Sequence, residues 1–278
     1  MATSIEDSAL QNIIFKASHN SYNRDETIAQ QLTFNSTAAY QCGCRGIELD
    51  IWRHDDNNPP MNSGYFTVDH TSSFSGETLK YWLDQVISWH NGNPNHDLVW
   101  IMLDIKSSQG DSSTFPNQID SYLTDYFGLD LIASPKFLFP TLSDTNPIGN
   151  IIASEGWTTL GSLVGKFIFC LSGNEDWKNV YVNQNPSNRL CFADTDDDKK
   201  LGNKRVVYNV EAGHEKTSTF QTLIQQNIFI RVYDTNSNND WTDATNMGAN
   251  MLATNKVSNS TWAEVSADAA FNYAKRQG

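Results

Sequence analysis

The chain has 278 residues, a formal net charge of −13 and an aromatic content of 12%. This length can bury one large core, and the composition is that of an ordinary folded protein. The acidic charge argues against nucleic-acid binding, which requires a basic surface, and against simple electrostatic attraction to anionic membranes, so we interpret it as favouring solubility.

Apolar runs bounded by turn residues predict seven strands, several of them hydrophobic at nearly every position, as is typical of parallel strands covered on both faces. The predicted strands are 12–17, 46–52, 98–105, 166–171, 205–210, 228–233 and 250–253. Amphipathic stretches between them have helical spacing of apolar residues. They predict helices over 27–40, 76–90, 116–127, 218–226 and 263–276.

Strands and helices alternate along the whole chain, and no repeat or linker marks a second domain. This alternation predicts one α/β unit. We expect a single TIM-type (β/α) barrel domain over 1–278, with distorted or irregular strands. Because seven strands are one short of eight, the segment 128–165 is expected to hold a long loop, short helices and the eighth strand.

Two carboxylates lie within the strand 46–52. Glu48 and Asp50 are two positions apart, between Ile47, Leu49 and Ile51. Side chains at this spacing leave a strand on the same face. Because unpaired buried carboxylates are costly, a cation is expected over them, and a hard metal ion is the first candidate.

Other polar side chains follow the ends of several strands, where barrels of this type gather their catalytic residues. They are His19, Asn20, His70, Asp104, Lys106, Arg231 and Tyr233. Each has a structural alternative: a lone histidine is more often a hydrogen-bonded structural residue, Asp104 and Lys106 form a salt bridge, or Arg231 caps a carboxylate such as Asp234. Their occurrence at five strand ends favours an active site.

Cysteines and a run of acids carry less information. The four cysteines lack zinc spacing, and Cys170 and Cys191 are either paired or simply buried, with buried thiols favoured. The run 194–198 resembles the start of a calcium loop but lacks the expected Gly and terminal Glu. We interpret this run as a solvated acidic turn.

Three blocks resemble a known family. The segments 18–22, 43–52 and 70–71 resemble, in order and spacing, the catalytic X region of the phosphoinositide-specific phospholipases C. Later segments, 231–233 and 248–251, resemble its substrate-binding and closing strands. Asn directly after the first His, with Glu-x-Asp on the second strand, resembles the calcium-dependent group rather than the bacterial enzymes that use an arginine in place of the metal.

The resemblance implies a Ca²⁺ site formed by Asn20, Glu48, Asp50 and Asp104. Calcium takes about six to eight oxygen ligands, so water and substrate would complete the site. Mg²⁺ and Mn²⁺ remain alternatives to Ca²⁺, because the type of ligand alone does not distinguish between the hard cations. The eukaryotic pattern has an acid where Lys106 stands, which makes Asp104 the expected fourth ligand.

The resemblance further implies cleavage of phosphatidylinositol to diacylglycerol and 1,2-cyclic inositol phosphate by attack of the inositol 2-hydroxyl. His70 would be the general acid, His19 would stabilise the phosphoryl group, and Glu48 or Asp50 would take the proton. The headgroup would be held by Lys106, Arg231 and Tyr233. Cys170 and Ser172 stand where eukaryotic relatives have lysines for ring phosphates, which predicts a preference for the unphosphorylated lipid.

Two alternatives are retained. One is a glycerophosphodiester phosphodiesterase or sphingomyelinase-D-like lyase, whose first strand typically ends in His-Arg-Gly rather than His19-Asn20-Ser21. The other is a calcium-dependent lipid-binding module without catalysis, which would need neither His19 nor His70. No apolar stretch is long enough for a transmembrane helix, and the polar N-terminus predicts no signal peptide in this sequence. We expect a secreted bacterial monomer that contacts phosphatidylinositol membranes only peripherally.

Overall fold

The computed structural model describes residues 4–34, 42–54, 66–71, 76–106, 110–265 and 273–276. Its strands are β1 Ile13–Ser18, β2 Gly46–Arg53, β3 Phe66–Val68, β4 Glu77–Thr78, β5 Val99–Ile105, β6 Phe167–Gly173, β7 Phe192–Thr195, β8 Val207–Glu211, β9 Phe229–Tyr233, β10 Met251–Thr254 and β11 Tyr273–Lys275. Its α-helices are α1 Ile28–Leu32, α2 Leu79–Gly92, α3 Phe115–Tyr126, α4 Pro135–Leu138, α5 Ile148–Glu155, α6 Glu175–Asn183, α7 Thr217–Gln225 and α8 Asn238–Met247.

Within these residues, eight parallel strands close a barrel in the order β1, β2, β5, β6, β7, β8, β9, β10. Helices lie between consecutive strands, so the predicted TIM-type α/β barrel is confirmed. The seam between β1 and β2 is narrow, with Ala17 opposite Gly46. A Cβ atom at Gly46 would lie 2.7 Å from the Cβ of Ala17, so the closure requires glycine there.

The lower barrel interior is filled by large apolar side chains. Trp100 of β5 stacks on Phe229 of β9, with ring centroids 4.2 Å apart. Phe15 of β1 lies against the same phenyl ring at 6.0 Å. A second apolar cluster packs the outer faces of the strands against the helices. Above these apolar layers, the polar side chains at the C-terminal ends of the strands form the mouth of the barrel.

The position of the eighth strand was predicted wrongly. It is β7, Phe192–Thr195, whereas the part of the chain between 128 and 165 forms short helices, including α4 and α5. Strand β7 has only four residues, and Asp194 and Thr195 in it are polar. It therefore shows no apolar run. Helices α6 and α8 were also not predicted.

The prediction of a helix over 263–276 is wrong for those of its residues that the structure describes. Tyr273–Lys275 forms β11, antiparallel to the first half of β1. Strand β2 pairs with β1 only at Ala17, which leaves the edge at Ile13–Phe15 for β11. The Tyr273 ring packs edge-on to Phe15 at 5.0 Å. This tertiary pairing overrides the local helical pattern.

Three other expectations are resolved. The helix predicted over 27–40 ends at Leu32, and its residues 35–40 lie outside the described part. All four cysteines are buried free thiols, so Cys170 and Cys191 are not paired. In the described ranges, no helix has the length and apolarity to cross a bilayer.

Candidate active site

A cleft opens at the C-terminal mouth of the barrel, where almost every strand contributes a polar side chain. Its lining includes His19, Asn20, Glu48, His70, Asp104, Lys106, Ser172, Lys178, Asp194, Asn209, Arg231, Tyr233 and Asp234. Asp50 lies directly beneath this lining, fully buried beside His70. All nine residues predicted to form the site therefore lie at one place.

Three carboxylates form a cluster in the floor of the cleft. One oxygen of each of Glu48, Asp50 and Asp104 lies within 4.8 Å of the others. The register of β2 and β5 places Asp50 directly opposite Asp104. Burial, with the charges of Glu48 and Asp50, outweighs Lys106 and raises the pKa of Asp104 to about 6. Such a cluster is stabilised by a cation.

The cluster has the chemistry of a hard-cation site. Asp50 is buried, and its Oδ1 has no hydrogen-bond partner among the described residues. A buried carboxylate oxygen of this kind is costly unless something binds it. Oxygen ligands suit calcium, so the donor set fits the ion that the sequence predicts.

Asn20 is held next to the carboxylate cluster by an unusual backbone conformation. Its φ of 49° lies in the left-handed region, which Asn tolerates better than most residues. Its backbone N–H donates to Glu48 Oε2 at 3.4 Å, and its Oδ1 accepts from the Tyr22 hydroxyl at 3.3 Å. The turn thus places Asn20 in the cleft, in contact with Glu48 and Tyr22.

Each of the two histidines faces a carboxylate. His70 Nδ1 lies 2.8 Å from Asp50 Oδ2, and 58% of the His70 side chain is exposed, which leaves Nε2 toward the cleft. His19 Nδ1 lies 2.9 Å from Asp234 Oδ1, but the angle between them is not that of a hydrogen bond. The Nε2 atom of His19 lies 3.7 Å from Glu48 Oε2. Each imidazole ring is thus positioned by a neighbouring carboxylate at the mouth of the barrel.

Lys106 bridges two acids of the carboxylate cluster. Its Nζ lies 2.9 Å from Asp50 Oδ2 and 2.7 Å from Asp104 Oδ2. Burial opposes the ammonium form, but the two carboxylates outweigh it, so the pKa of Lys106 is above its usual value. Asp104 and Lys106 therefore do form the salt bridge that was given as an alternative. This salt bridge places the ammonium group of Lys106 inside the cleft.

Arg231 is almost fully buried and pairs with Glu48, at 2.7 Å between Nη2 and Oε2. Arg231 therefore does cap a carboxylate, but the carboxylate is Glu48 rather than Asp234, and Nη1 donates to Asn209 Oδ1 at 2.8 Å. The guanidinium lies 5.4 Å from the centroid of the Tyr233 ring. This ion pair fixes the orientation of Glu48.

Sequence reasoning assigned no role to Tyr22, whose hydroxyl donates to Asp50 Oδ2 at 2.8 Å. It also placed Asp194 in a solvated turn, and this is wrong, because Asp194 is buried in β7 and pairs with Lys178 at 2.6 Å. Asn209 of β8 joins Asp194 to Arg231. Recognising β7 as a barrel strand would have placed Asp194 at the mouth.

The fold and the cleft define the chain as a barrel enzyme with a cation site. A family model described as "Phosphoinositide phospholipase C, Ca2+-dependent" matches residues 66–276. This match covers well over half of the chain. The chain therefore belongs to the calcium-dependent phosphoinositide phospholipase C family. No curated protein sequence matches it.

Solved structures share this fold. A calcium-dependent phosphoinositol-specific phospholipase C from a Pseudomonas species has a TM-score of 0.76 and 19% identity, over 99% of this chain and 98% of its own. The calcium-dependent phosphatidylinositol-specific enzyme from Streptomyces antibioticus has a TM-score of 0.65 and 14% identity, over 90% and 95%. PLC21 of L. pealei matches at 0.60 and 13%, over 98% of this chain but 38% of its own.

Proposed function

We propose that this enzyme cleaves phosphatidylinositol at the glycerol–phosphate bond and releases diacylglycerol and 1,2-cyclic inositol phosphate. One observation carries the proposal: His19 and His70, each beside a carboxylate, flank a cluster of oxygen ligands in one cleft. A phosphodiester cleavage needs a group that stabilises phosphoryl charge and a group that protonates the leaving oxygen. The family and the similar structures support phosphatidylinositol as the substrate.

The ligands would be Asn20, Glu48, Asp50 and Asp104. Calcium bound there supplies positive charge, which lowers the pKa of a bound hydroxyl and neutralises phosphoryl oxygens. Asp50 Oδ1 and the Asn20 amide oxygen are the acceptors that this role requires. The remaining positions would go to water and substrate oxygens.

Either Glu48 or Asp50 takes the proton of the inositol 2-hydroxyl. The geometry favours Glu48, because it lines the cleft, whereas Asp50 is fully buried and its Oδ2 already accepts from His70 and Lys106. Arg231 holds the Glu48 carboxylate in place. Glu48, which lies near both histidines, can therefore accept the proton of an inositol 2-hydroxyl bound above it.

His70 protonates the diacylglycerol oxygen as it leaves. Its Nδ1 is held by Asp50, so the exposed Nε2 is the nitrogen that reaches substrate. His19 donates a hydrogen bond to the phosphoryl oxygens, and Asp234 lies 2.9 Å from its Nδ1 on the other side of the ring. These two roles differ, because one moves a proton and the other stabilises charge.

Lys106, Arg231 and Tyr233 hold the headgroup. Lys106 is the more accessible cation, with 23% of its side chain exposed, while Arg231 acts mainly through Glu48. The Tyr233 ring lies 5.7 Å from the His19 ring and offers a flat face to the inositol. We infer one catalytic domain over 1–278, a secreted bacterial monomer, and peripheral contact with the membrane during turnover.

The test is turnover of phosphatidylinositol in detergent micelles, with calcium and then with a chelator. The proposal expects product with calcium and none after chelation. Turnover that survives chelation would contradict the calcium role. Absence of turnover under both conditions, with retained calcium binding, would instead identify a lipid-binding module. Preference for a glycerophosphodiester or for sphingomyelin would identify the related phosphodiesterases.

A further inference from the structure

The wall of the cleft opposite His19 contains a buried ion pair that the proposed reaction does not use. Strand β7 lies four strands from β1 in either direction around the barrel, so Asp194 faces the site from the far side. Lys178 projects to it from α6, the helix that follows β6. Both side chains line the cleft, yet Asp194 is 1% exposed and Lys178 is 5% exposed.

The contacts of this pair are specific. Lys178 Nζ lies 2.6 Å from Asp194 Oδ1 and 3.5 Å from Glu175 Oε2. The other oxygen of Asp194 accepts from Asn209 Nδ2 at 2.7 Å, and the same amide nitrogen lies 3.1 Å from Ser172 Oγ. Both carboxylate oxygens of Asp194 therefore have partners, and the ammonium group is held between two acids.

The charge on this wall is unsuitable for a phosphate. A lysine ammonium is a common phosphate ligand, but here a buried carboxylate at hydrogen-bond distance neutralises it. Asp196 lines the same side of the cleft. A phosphate brought to this wall would therefore meet an ion pair without net positive charge, and the exposed Asp196 beside it adds a like charge.

The same groups suit neutral hydroxyls. The serine hydroxyl of Ser172 and the amide of Asn209 line the cleft, and both groups can exchange hydrogen bonds with an uncharged polyol ring. An unphosphorylated inositol ring therefore matches this wall, whereas a ring phosphate does not.

We propose that Asp194 is a specificity-determining residue, which by holding Lys178 makes the cleft accept unphosphorylated inositol and reject a ring phosphate. This inference rests on the proposed function above. It differs from the explanation based on Cys170 and Ser172, because the chain does carry a lysine at this wall. That lysine, Lys178, lies on α6 rather than on β6, and its ammonium group forms an ion pair with Asp194.

The test replaces Asp194 by Asn, which keeps the shape of the side chain and removes the shorter of the two acid contacts of Lys178, leaving only Glu175 at 3.5 Å. Turnover of phosphatidylinositol and of phosphatidylinositol bisphosphate is measured in the same micelles at saturating calcium. We expect the ratio of bisphosphate to parent-lipid turnover to rise about tenfold or more in D194N. The double variant K178M/D194N is the control and should lose this gain. An unchanged ratio in folded D194N overturns the inference.

A measurement on the unmodified enzyme does not depend on the folding of any variant. Calorimetry should show that inositol monophosphate binds at least about tenfold more tightly than inositol trisphosphate at saturating calcium. Equal or tighter binding of the trisphosphate overturns the role of Asp194. Failure of the proposed function would give a different result, because the enzyme would then not turn over phosphatidylinositol at all.

Discussion

Asp50 Oδ2 lies 2.8 Å from His70 Nδ1, and the same oxygen accepts from Tyr22 and Lys106 while Oδ1 has no partner among the described residues. The two oxygens of one buried carboxylate therefore have different surroundings. One orients the histidine that faces the cleft, and the other is available to a cation. This division would couple the proposed proton donor, His70, to the proposed metal site.

Replacing His70 by Ala should separate catalysis from metal binding. The variant loses the proposed proton donor, so turnover should fall by roughly 10²- to 10⁴-fold, the range of general acid catalysis. Calcium affinity, measured by calorimetry, should change little, because His70 is not a ligand. The comparison variant is Asp50→Asn, which should lose both turnover and affinity. Nearly normal turnover in H70A would assign the proton donor elsewhere.

Replacing Gly173 by Ala should weaken calcium binding. Gly173 has a φ of +77°, and a Cβ atom there would lie 2.0 Å from Asp104 Oδ1 and 2.3 Å from the carbonyl oxygen of Ile105. The methyl group would therefore push Asp104 out of the carboxylate cluster. Titration of calcium against the thermal midpoint of unfolding measures the effect, since a bound ligand raises that midpoint.

The matched control for this change is Gly128→Ala. Gly128 also has a positive φ, +96°, but nothing lies within 4 Å of its added Cβ atom. Both variants carry the backbone strain of a side chain at positive φ. Only G173A should lose calcium affinity, and equal affinities in the two variants would show that Asp104 does not bind the ion.

Replacing Tyr22 by Phe should destabilise the site without removing a ligand. Burial, with the nearby Asp50, raises the pKa of Tyr22 above its usual value, so the phenol remains a neutral donor. Loss of its hydrogen bond to buried Asp50 should lower the free energy of unfolding by about 1–2 kcal/mol. Denaturant titration checks this, with the exposed Tyr81→Phe as control. Equal stabilities for the two variants would be the contrary result.

His96 should make the protein less stable as the pH falls from 6.5 to 4. Its ring lies between Trp89 and Phe167, with centroids 4.7 and 4.8 Å away. Burial lowers the pKa of His96 to about 4. In the unfolded chain the imidazole takes up its proton near pH 6.5, so between these values the unfolded state binds more protons. Stability should therefore decrease across this window, by on the order of 3 kcal/mol, and change no further from this group below pH 4.

The variant His96→Gln tests this pH dependence, because glutamine does not titrate. Free energies of unfolding measured in urea should fall more steeply between pH 6.5 and pH 4 for the unmodified chain than for H96Q. Parallel curves for the two proteins would show that His96 does not contribute. The His90 ring, whose Nδ1 lies 3.0 Å from His96 Nε2, remains in both proteins.

Local patterns predicted the barrel because most of its buried parallel strands carry apolar runs. Strand β5 is apolar from Val99 to Leu103, and in β2 the period-two rule placed Glu48 and Asp50 on one face. Strand β7 was missed for the opposite reason. Asp194 in it is stabilised by Lys178, which is distant in the sequence, so its burial leaves no apolar signal.

The sequence by itself determined the kind of protein: alternating elements, a Glu-x-Asp strand and polar residues at the strand ends define a barrel with a cation site. Only the tertiary structure decided which charges pair, because barrel closure brings together side chains far apart in the chain. Glu48 therefore meets Arg231 across the mouth, whereas Asp194 meets Lys178 because α6 packs beside β7, the strand that follows it. Such pairings depend on distances of a few ångströms across the mouth, which no local pattern of residues encodes.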